Sequence, residues 1–71
     1  MKFPEMIIES LKDYNWYSSL SICKLVSNEF YGGMLPKAKF TIVNSALKHL
    51  FKNGLVYREK QGKNYIYSKR P

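Results

Sequence analysis

Apolar side chains recur with helical spacing in three segments of the chain, and the first lies near the N-terminus. Over residues 4–13, Ile7, Ile8 and Leu11 fall on one narrow stripe of a helix. Pro4 suits the first turn of such a helix, because its missing N–H leaves no intrahelical hydrogen bond unmade. The pattern therefore predicts a helix over about residues 4–13.

A short aromatic segment, residues 15–18, separates this helix from the next apolar repeat. It is too short and too aromatic for a flexible linker, so it predicts a brief edge strand. Trp16 within it is expected in the core or at the core boundary, since large aromatic side chains dominate small cores. Cys23, the single cysteine, is expected to be a buried thiol of low reactivity.

The second helix has a recognisable start and stop in the sequence. Ser21 is a favourable N-cap residue, and Leu20 before it can pack on Leu25 as a hydrophobic staple. Gly32 and Gly33 allow a left-handed backbone and are expected to end the helix.

The strongest periodic signal predicts a third helix over about residues 38–53. Its apolar positions repeat at i, i+1, i+4, i+5, i+8 and i+9, which form one continuous face. Asn53 and Gly54 are expected to end it. The apolar positions are Ile42, Val43, Ala46, Leu47, Leu50 and Phe51.

The remaining pattern predicts a β-hairpin over residues 55–68. Residues 55–58 and 64–67 are rich in β-formers, and Gly62 between them is free to take the positive φ of a turn. The two tyrosines of the second strand share one face and Ile66 takes the other. The sequence does not determine which of these faces packs against the helices.

Together these elements predict one domain, residues 1–71, of the α+β class. The order α-β-α-α-β-β indicates a winged helix-turn-helix, with three helices backed by a small antiparallel sheet. In that arrangement the third helix is presented to a partner and the hairpin forms the wing.

Charge is divided unevenly between the two halves of the chain. Residues 1–34 carry three lysines against four acids, a net charge of −1, whereas residues 35–71 carry nine cations against Glu59 alone, a net charge of +8. Such a half repels itself unless it meets a polyanion, and nucleic acid is the commonest one. An anionic membrane surface and simple solubility are the alternatives. The basic residues are Lys37, Lys39, Lys48, Lys52, Arg58, Lys60, Lys63, Lys69 and Arg70.

The face of the third helix opposite its apolar stripe contains no acid. It has short hydrogen-bonding side chains in its N-terminal half and lysines further along, which is how a recognition helix donates to base edges and to phosphates. A plain solvated face that happens to be basic is the alternative. The residues of this face are Thr41, Asn44, Ser45, Lys48 and Lys52.

The run "IVNSALKHLFKNGLVYREKQGKNYIYS", residues 42–68, resembles the second half of winged-helix transcriptional repressors. The resemblance is to the penicillinase and methicillin-resistance repressor family, and covers 27 of the 71 residues. It lies in the pattern helix–Lys–x–Gly–Leu–Val–x–Arg, then a turn, then Gly–Lys–x–Tyr–x–Tyr. The residues that carry it are Leu47, Leu50, Lys52, Gly54, Leu55, Val56, Arg58, Gly62, Lys63, Tyr65 and Tyr67.

This resemblance implies a DNA-binding repressor in which the third helix enters the major groove and the wing touches the backbone or the minor groove. By position, it implies that Lys60 and Lys63 lie on the wing. It likewise implies that the groove-facing residues are Thr41, Asn44, Ser45 and Lys48.

The expected function is therefore double-stranded DNA binding by a transcriptional regulator, and the alternative is a winged-helix protein–protein interaction module within a larger complex. No enzyme is expected, because the sequence offers no nucleophile–base pair and no metal cluster. No cofactor, small-molecule ligand or membrane association is expected either. The expected location is the cytoplasm, at the nucleoid or in a host cell if the source is a virus. Tight specific binding favours a homodimer, although the sequence leaves the oligomeric state open.

Overall fold

Three helices and three strands follow one another along the chain. A computed structural model of the protein describes residues 2–71. The elements are α1 (Phe3–Ser10), β1 (Tyr17–Ser18), α2 (Ser19–Phe30), α3 (Ala38–Lys52), β2 (Val56–Gln61) and β3 (Asn64–Lys69). The predicted α+β class and the order α-β-α-α-β-β are confirmed, and the arrangement is that of a winged helix-turn-helix.

The sheet is antiparallel, with β3 between β1 and β2. Strands β2 and β3 pair from Val56 opposite Lys69 to Gln61 opposite Asn64, so the hairpin turn has only two residues. Gly62, at the first turn position, has a φ of 63°, and no non-glycine residue has a positive φ in the described chain, which is the pattern of a type II′ turn. The tight turn lets pairing continue through residues 59–61, so these residues, which the sequence pattern leaves between the two strands, belong to β2.

One hydrophobic core joins the three helices to the hairpin. Tyr67 is only 5% exposed and belongs to this core, so the face of β3 that carries the tyrosines packs against the helices. Cys23 is buried as expected, and burial raises the pKa of its thiol. The buried core residues are Ile7, Leu11, Ile22, Cys23, Val26, Val43, Ala46, Leu47, Leu50, Val56 and Tyr67.

Helix α1 ends at Ser10, three residues earlier than expected. The backbone leaves the helical region at Leu11, with φ −84° and ψ 89°. Asp13 then accepts hydrogen bonds from the N–H of Asn15 at 3.1 Å and from the hydroxyl of Tyr17 at 2.8 Å. Such local bonds from an aspartate offer the backbone an alternative to the helix, which accounts for the early end.

Stability is expected to fall in acid through Asp13. The hydrogen bond from Tyr17, followed by that from Asn15, lowers the pKa of the Asp13 carboxyl below its ordinary value. The folded chain therefore takes up this proton less readily than the unfolded chain. The stabilisation is fully present above the unfolded-state pKa and is lost as the pH falls through the lower folded-state pKa.

Urea unfolding at pH about 5 and at pH about 2.5, on either side of the ordinary aspartate range, measures this loss. The Asp13→Asn variant is expected to lose less stability between the two pH values than the wild type. Tyr17→Phe, which removes the larger of the two hydrogen-bond effects, is expected to fall between them. Equal losses in all three proteins would contradict the assignment.

Helix α2 begins earlier than expected, and its N-cap is Ser18 rather than Ser21. The Oγ of Ser18 accepts the N–H of Ser21 at 3.2 Å. Leu20 consequently lies in the first turn and is 56% exposed, so the expected staple with Leu25 is wrong. Trp16 is 44% exposed, so the expectation of a core position is also wrong: the neighbouring Tyr17, which pairs with Tyr67 in β1, packs against the core instead.

Two glycines end α2 as expected. Gly32 and Gly33 have φ values of 61° and 85°, and the N–H of Gly33 donates to the carbonyl of Ser27 at 2.8 Å. The hydroxyl of Ser27 accepts the N–H of Leu35 at 3.0 Å. These bonds hold the long connection between α2 and α3 against the end of α2.

Candidate functional site

The polar face of α3, defined as Thr41, Asn44, Ser45, Lys48 and Lys52, is exposed along its whole length. The opposite side of the helix carries the four buried residues Val43, Ala46, Leu47 and Leu50. Ile42 and Phe51 are 41% and 37% exposed, so the buried stripe is narrower than the sequence pattern indicates. The structure thus brings all five predicted residues together on one solvent-facing surface.

The cations of the second half of the chain lack carboxylate partners within residues 2–71. The ion pair found within residues 2–71 lies in the first half of the chain, where Lys12 contacts Glu29 at 2.8 Å and that contact raises the pKa of Lys12. Glu59 is exposed, and its position in β2 puts it on the sheet face opposite Arg58. The positive charge around α3 and the hairpin is therefore uncompensated by the fold itself.

Arg58 lies in a stack that ties the wing to α3. Its guanidinium carbon is 4.0 Å from the centre of the Phe51 ring and 4.3 Å from the centre of the Tyr65 ring. Phe51 belongs to the last turn of α3 and Tyr65 to β3, so one side chain bridges two elements. Arg58 is one of the basic residues expected to meet nucleic acid, and in the structure its guanidinium packs on both rings. The sequence alone could not show this packing, because Phe51 lies seven residues before Arg58 and Tyr65 seven residues after it, in two other elements.

The stack is expected to contribute measurably to stability. Cation–π contacts at partly exposed sites contribute about 0.5–1 kcal/mol each, and Arg58 makes two. A double-mutant cycle of Arg58→Ala and Phe51→Ala, measured by urea unfolding, should show a coupling energy of about 0.5–1 kcal/mol. Additive effects of the two substitutions would contradict the stack.

Lys60 and Lys63 occupy the outer half of the wing. Lys60 lies opposite Tyr65 and on the same face of β2 as Arg58, and Lys63 is the second residue of the turn. Both are exposed. Arg58 packs on Phe51, in the last turn of α3, and so brings the wing next to the end of that helix. Lys48 and Lys52 lie three residues before and one residue after Phe51. The lysines of the wing therefore continue the basic surface of α3.

Lys69 and Arg70 lie at the other end of the hairpin. Lys69 pairs with Val56 at its base, five residues and about 17 Å from the end of β3 nearest the turn. The Arg70 guanidinium carbon is 4.8 Å from the centre of the Tyr57 ring. Tyr57 points to the sheet face opposite Arg58, because the two residues are neighbours in one strand. Lys69 and Arg70 therefore lie at the base of the hairpin, apart from the turn that carries Lys63, and their contact with DNA stays a prediction.

Lys39 is also separated from the polar face. It precedes Lys48 by nine residues, which is about 900° or half a turn away around the helix, and it is half-buried. Lys39 is therefore not part of the polar face, and its contact with DNA stays a prediction. Lys37 is exposed and immediately precedes α3.

The start of α2 lies beside the polar face, which the sequence did not reveal. Ser19 and Leu20 line an opening of about 150 Å³ together with Asn44. The N–H groups of a first helical turn have no intrahelical partners and favour anions. Sequence reasoning missed this neighbour because it placed the N-cap three residues late, although Ser18 was the available signal.

Comparison of the chain with protein-family models, with curated proteins and with solved structures found no match. No helix in residues 2–71 is long and apolar enough to cross a membrane. Within the same residues, no three His, Cys, Asp or Glu side chains form a group that could hold a metal ion.

Proposed function

We propose that this chain binds double-stranded DNA as a transcriptional regulator, with α3 in the major groove and the β2–β3 wing against the backbone or the minor groove. The observation that carries the proposal is the exposed, acid-free polar face of α3. A major groove admits an α-helix, and a helix with this face meets phosphates without a repelling carboxylate. The resemblance of residues 42–68 to winged-helix repressors supports the same conclusion.

The positions along α3 divide the work of recognition. Thr41, Asn44 and Ser45 have short side chains that donate and accept hydrogen bonds, which suits contact with base edges. Lys48 and Lys52, one turn apart nearer the C-terminus, suit phosphates. Discrimination between DNA sequences is therefore assigned to Thr41, Asn44 and Ser45. Lys60 and Lys63 of the wing add phosphate contacts that do not depend on the DNA sequence.

The salt dependence of binding tests the mechanism. If the five remaining cations, Lys37, Lys48, Lys52, Lys60 and Lys63, contact phosphate, the logarithm of the association constant falls with the logarithm of salt concentration at a slope of about −4.5. Fluorescence anisotropy of a labelled duplex, titrated with the full chain at several salt concentrations, measures this slope. Binding that persists with a slope near zero would refute the proposal.

Two single substitutions test whether the turn of the wing contacts DNA while the base of the hairpin does not. Lys63→Gln at the turn is expected to reduce the steepness of the slope by about 1 and to weaken binding to all sequences alike. Lys69→Gln, the same change at the base of the hairpin, is the matched control and should leave the slope near that of the wild type. A loss of discrimination between sequences in Lys63→Gln would mean that the wing reads bases.

A protein–protein interaction module is the second candidate, and one observation favours it. Several large aromatic side chains are exposed, and such residues are enriched at protein interfaces. Selection of bound sequences from random duplex DNA distinguishes the two functions: enrichment of a motif supports the regulator, whereas no retention of any duplex supports the interaction module. The exposed rings are Tyr14, Trp16, Tyr57 and Tyr65.

A further inference from the structure

A small cleft lies between the first turn of α2 and the N-terminal half of α3, at the edge of the polar face. It has a volume of about 150 Å³ and is lined by Ser19, Leu20, Cys23, Phe40 and Asn44. Phe40 and Asn44 are four residues apart in α3, so they lie on the same side of that helix. Because Asn44 also belongs to the polar face, the cleft opens beside the side chains that are proposed to contact base edges.

The lining of this cleft is mostly apolar and uncharged. Phe40 packs against the hydrophobic core, and Cys23 is buried. Burial raises the pKa of the Cys23 thiol, which keeps the thiol neutral near pH 7. Leu20 is 56% exposed, so a large aliphatic side chain is left in water at the cleft. An apolar group that entered from solvent would cover Leu20 and would meet no charge.

The size of the cleft indicates what it can hold. Sites for whole small molecules have volumes of roughly 300 Å³ and above, whereas this cleft has about 150 Å³. It therefore suits a single chemical group that projects from a larger partner. The proposed partner is the major groove of DNA, whose base edges pass along the polar face next to the cleft.

The major groove offers one apolar group to such a cleft. Guanine, cytosine and adenine present only hydrogen-bond donors and acceptors there, whereas thymine presents a 5-methyl group beside its O4 acceptor. An apolar lining therefore selects thymine among the four bases. Adenine, the partner of thymine, presents the N6 donor and the N7 acceptor that an asparagine amide matches, and Asn44 supplies such an amide at the edge of the cleft.

We propose that this cleft receives the 5-methyl group of a thymine, and that Leu20 is a specificity-determining residue for DNA sites that contain A·T pairs. The inference rests on the proposed function, for which it names the base pair preferred at one position of the site. Transfer of one methyl-sized apolar group out of water strengthens binding by about fourfold. Leu20 thus adds an apolar contact to the hydrogen bonds assigned to the polar face.

Two duplexes that differ only in this methyl group test the inference. Alternating dA-dT and alternating dA-dU present the same phosphates and the same hydrogen-bonding groups, but uracil lacks the 5-methyl group. Fluorescence anisotropy at one salt concentration is expected to show that the wild-type chain binds the dA-dT duplex about fourfold more tightly. Equal affinity for the two duplexes would overturn the inference and leave the proposed function standing. Retention of neither duplex would overturn both.

Leu20→Ala tests whether the methyl group is read in this cleft. Leu20 is exposed, so its truncation leaves the core unchanged. The variant is expected to bind both duplexes equally, with about the affinity that the wild type has for dA-dU. A preference for dA-dT that survives in this variant would mean that the methyl group acts elsewhere or through the shape of the duplex, and would overturn the inference.

Leu55→Ala is the matched control for this experiment. Leu55 is 51% exposed and lines a different groove, with Pro4 and Ile8 of α1. This variant makes the same chemical change and should keep the wild-type preference for dA-dT. Loss of the preference in both variants would show that any exposed leucine has this effect, which would contradict a specific role for Leu20.

Discussion

Replacing Lys48 and Lys52 by glutamate is expected to abolish retention of duplex DNA while the chain stays folded. Both side chains are exposed on α3, so their replacement leaves the core unchanged. Each substitution removes a cation from the polar face and sets a carboxylate against phosphate. Placing like charges together costs several kcal/mol, so the affinity should fall by about a hundredfold or more. Anisotropy with labelled duplex measures the loss, and circular dichroism checks the fold.

The same helix offers a matched control for this experiment. Lys39→Glu makes the same change in charge as Lys48→Glu, but Lys39 lies half a turn away from the polar face. We expect the Lys48 variant to lose far more affinity than the Lys39 variant. Equal losses would show that only the net charge of the chain matters and would refute a specific role for this face.

Replacing Leu47 by alanine is expected to cause the largest loss of stability from a single side chain. Leu47 is fully buried in the core, where α3 meets the other elements. Deletion of a buried leucine side chain to alanine costs about 2–5 kcal/mol, through lost burial and the cavity left behind. A domain of this size has little stability in reserve, so a substantial unfolded fraction at 37 °C is expected.

Leu20→Ala is the matched control for the core substitution, because it makes the same chemical change at a side chain that is 56% exposed. Its effect on the free energy of unfolding should stay within about 0.5 kcal/mol. Urea unfolding of both variants gives the comparison. Similar losses in the two proteins would mean that the core does not centre on α3.

The structure leaves fewer basic side chains free to contact DNA than the sequence suggests. The guanidinium of Arg58 packs on the rings of Phe51 and Tyr65, so it holds the wing against α3 instead of extending into solvent. Lys69 and Arg70 lie at the base of the hairpin, away from its turn. The proposed interface is therefore smaller than the number of basic residues suggests.

The long apolar repeats were sufficient to predict the helices and the hairpin, because their spacing is a local property of the chain. The predicted ends of α1 and α2 were wrong where short polar side chains form hydrogen bonds with nearby backbone N–H groups. Asp13 ends α1 early through its bonds to Asn15 and Tyr17, and Ser18 caps α2 where Ser21 was expected. Each of these serines is a favourable cap, and only the packing of the helix chooses between them.

By itself, the sequence determined the element order, the fold class and the exposed polar face of α3. These follow from hydrophobic periodicity, which reports which side of each element must leave water. Only the tertiary structure decided which face of the hairpin is buried, where Arg58 rests, and that Lys39, Lys69 and Arg70 lie apart from the polar face. The physical reason is that these depend on contacts between residues in different elements, and on angles between elements that no local spacing encodes.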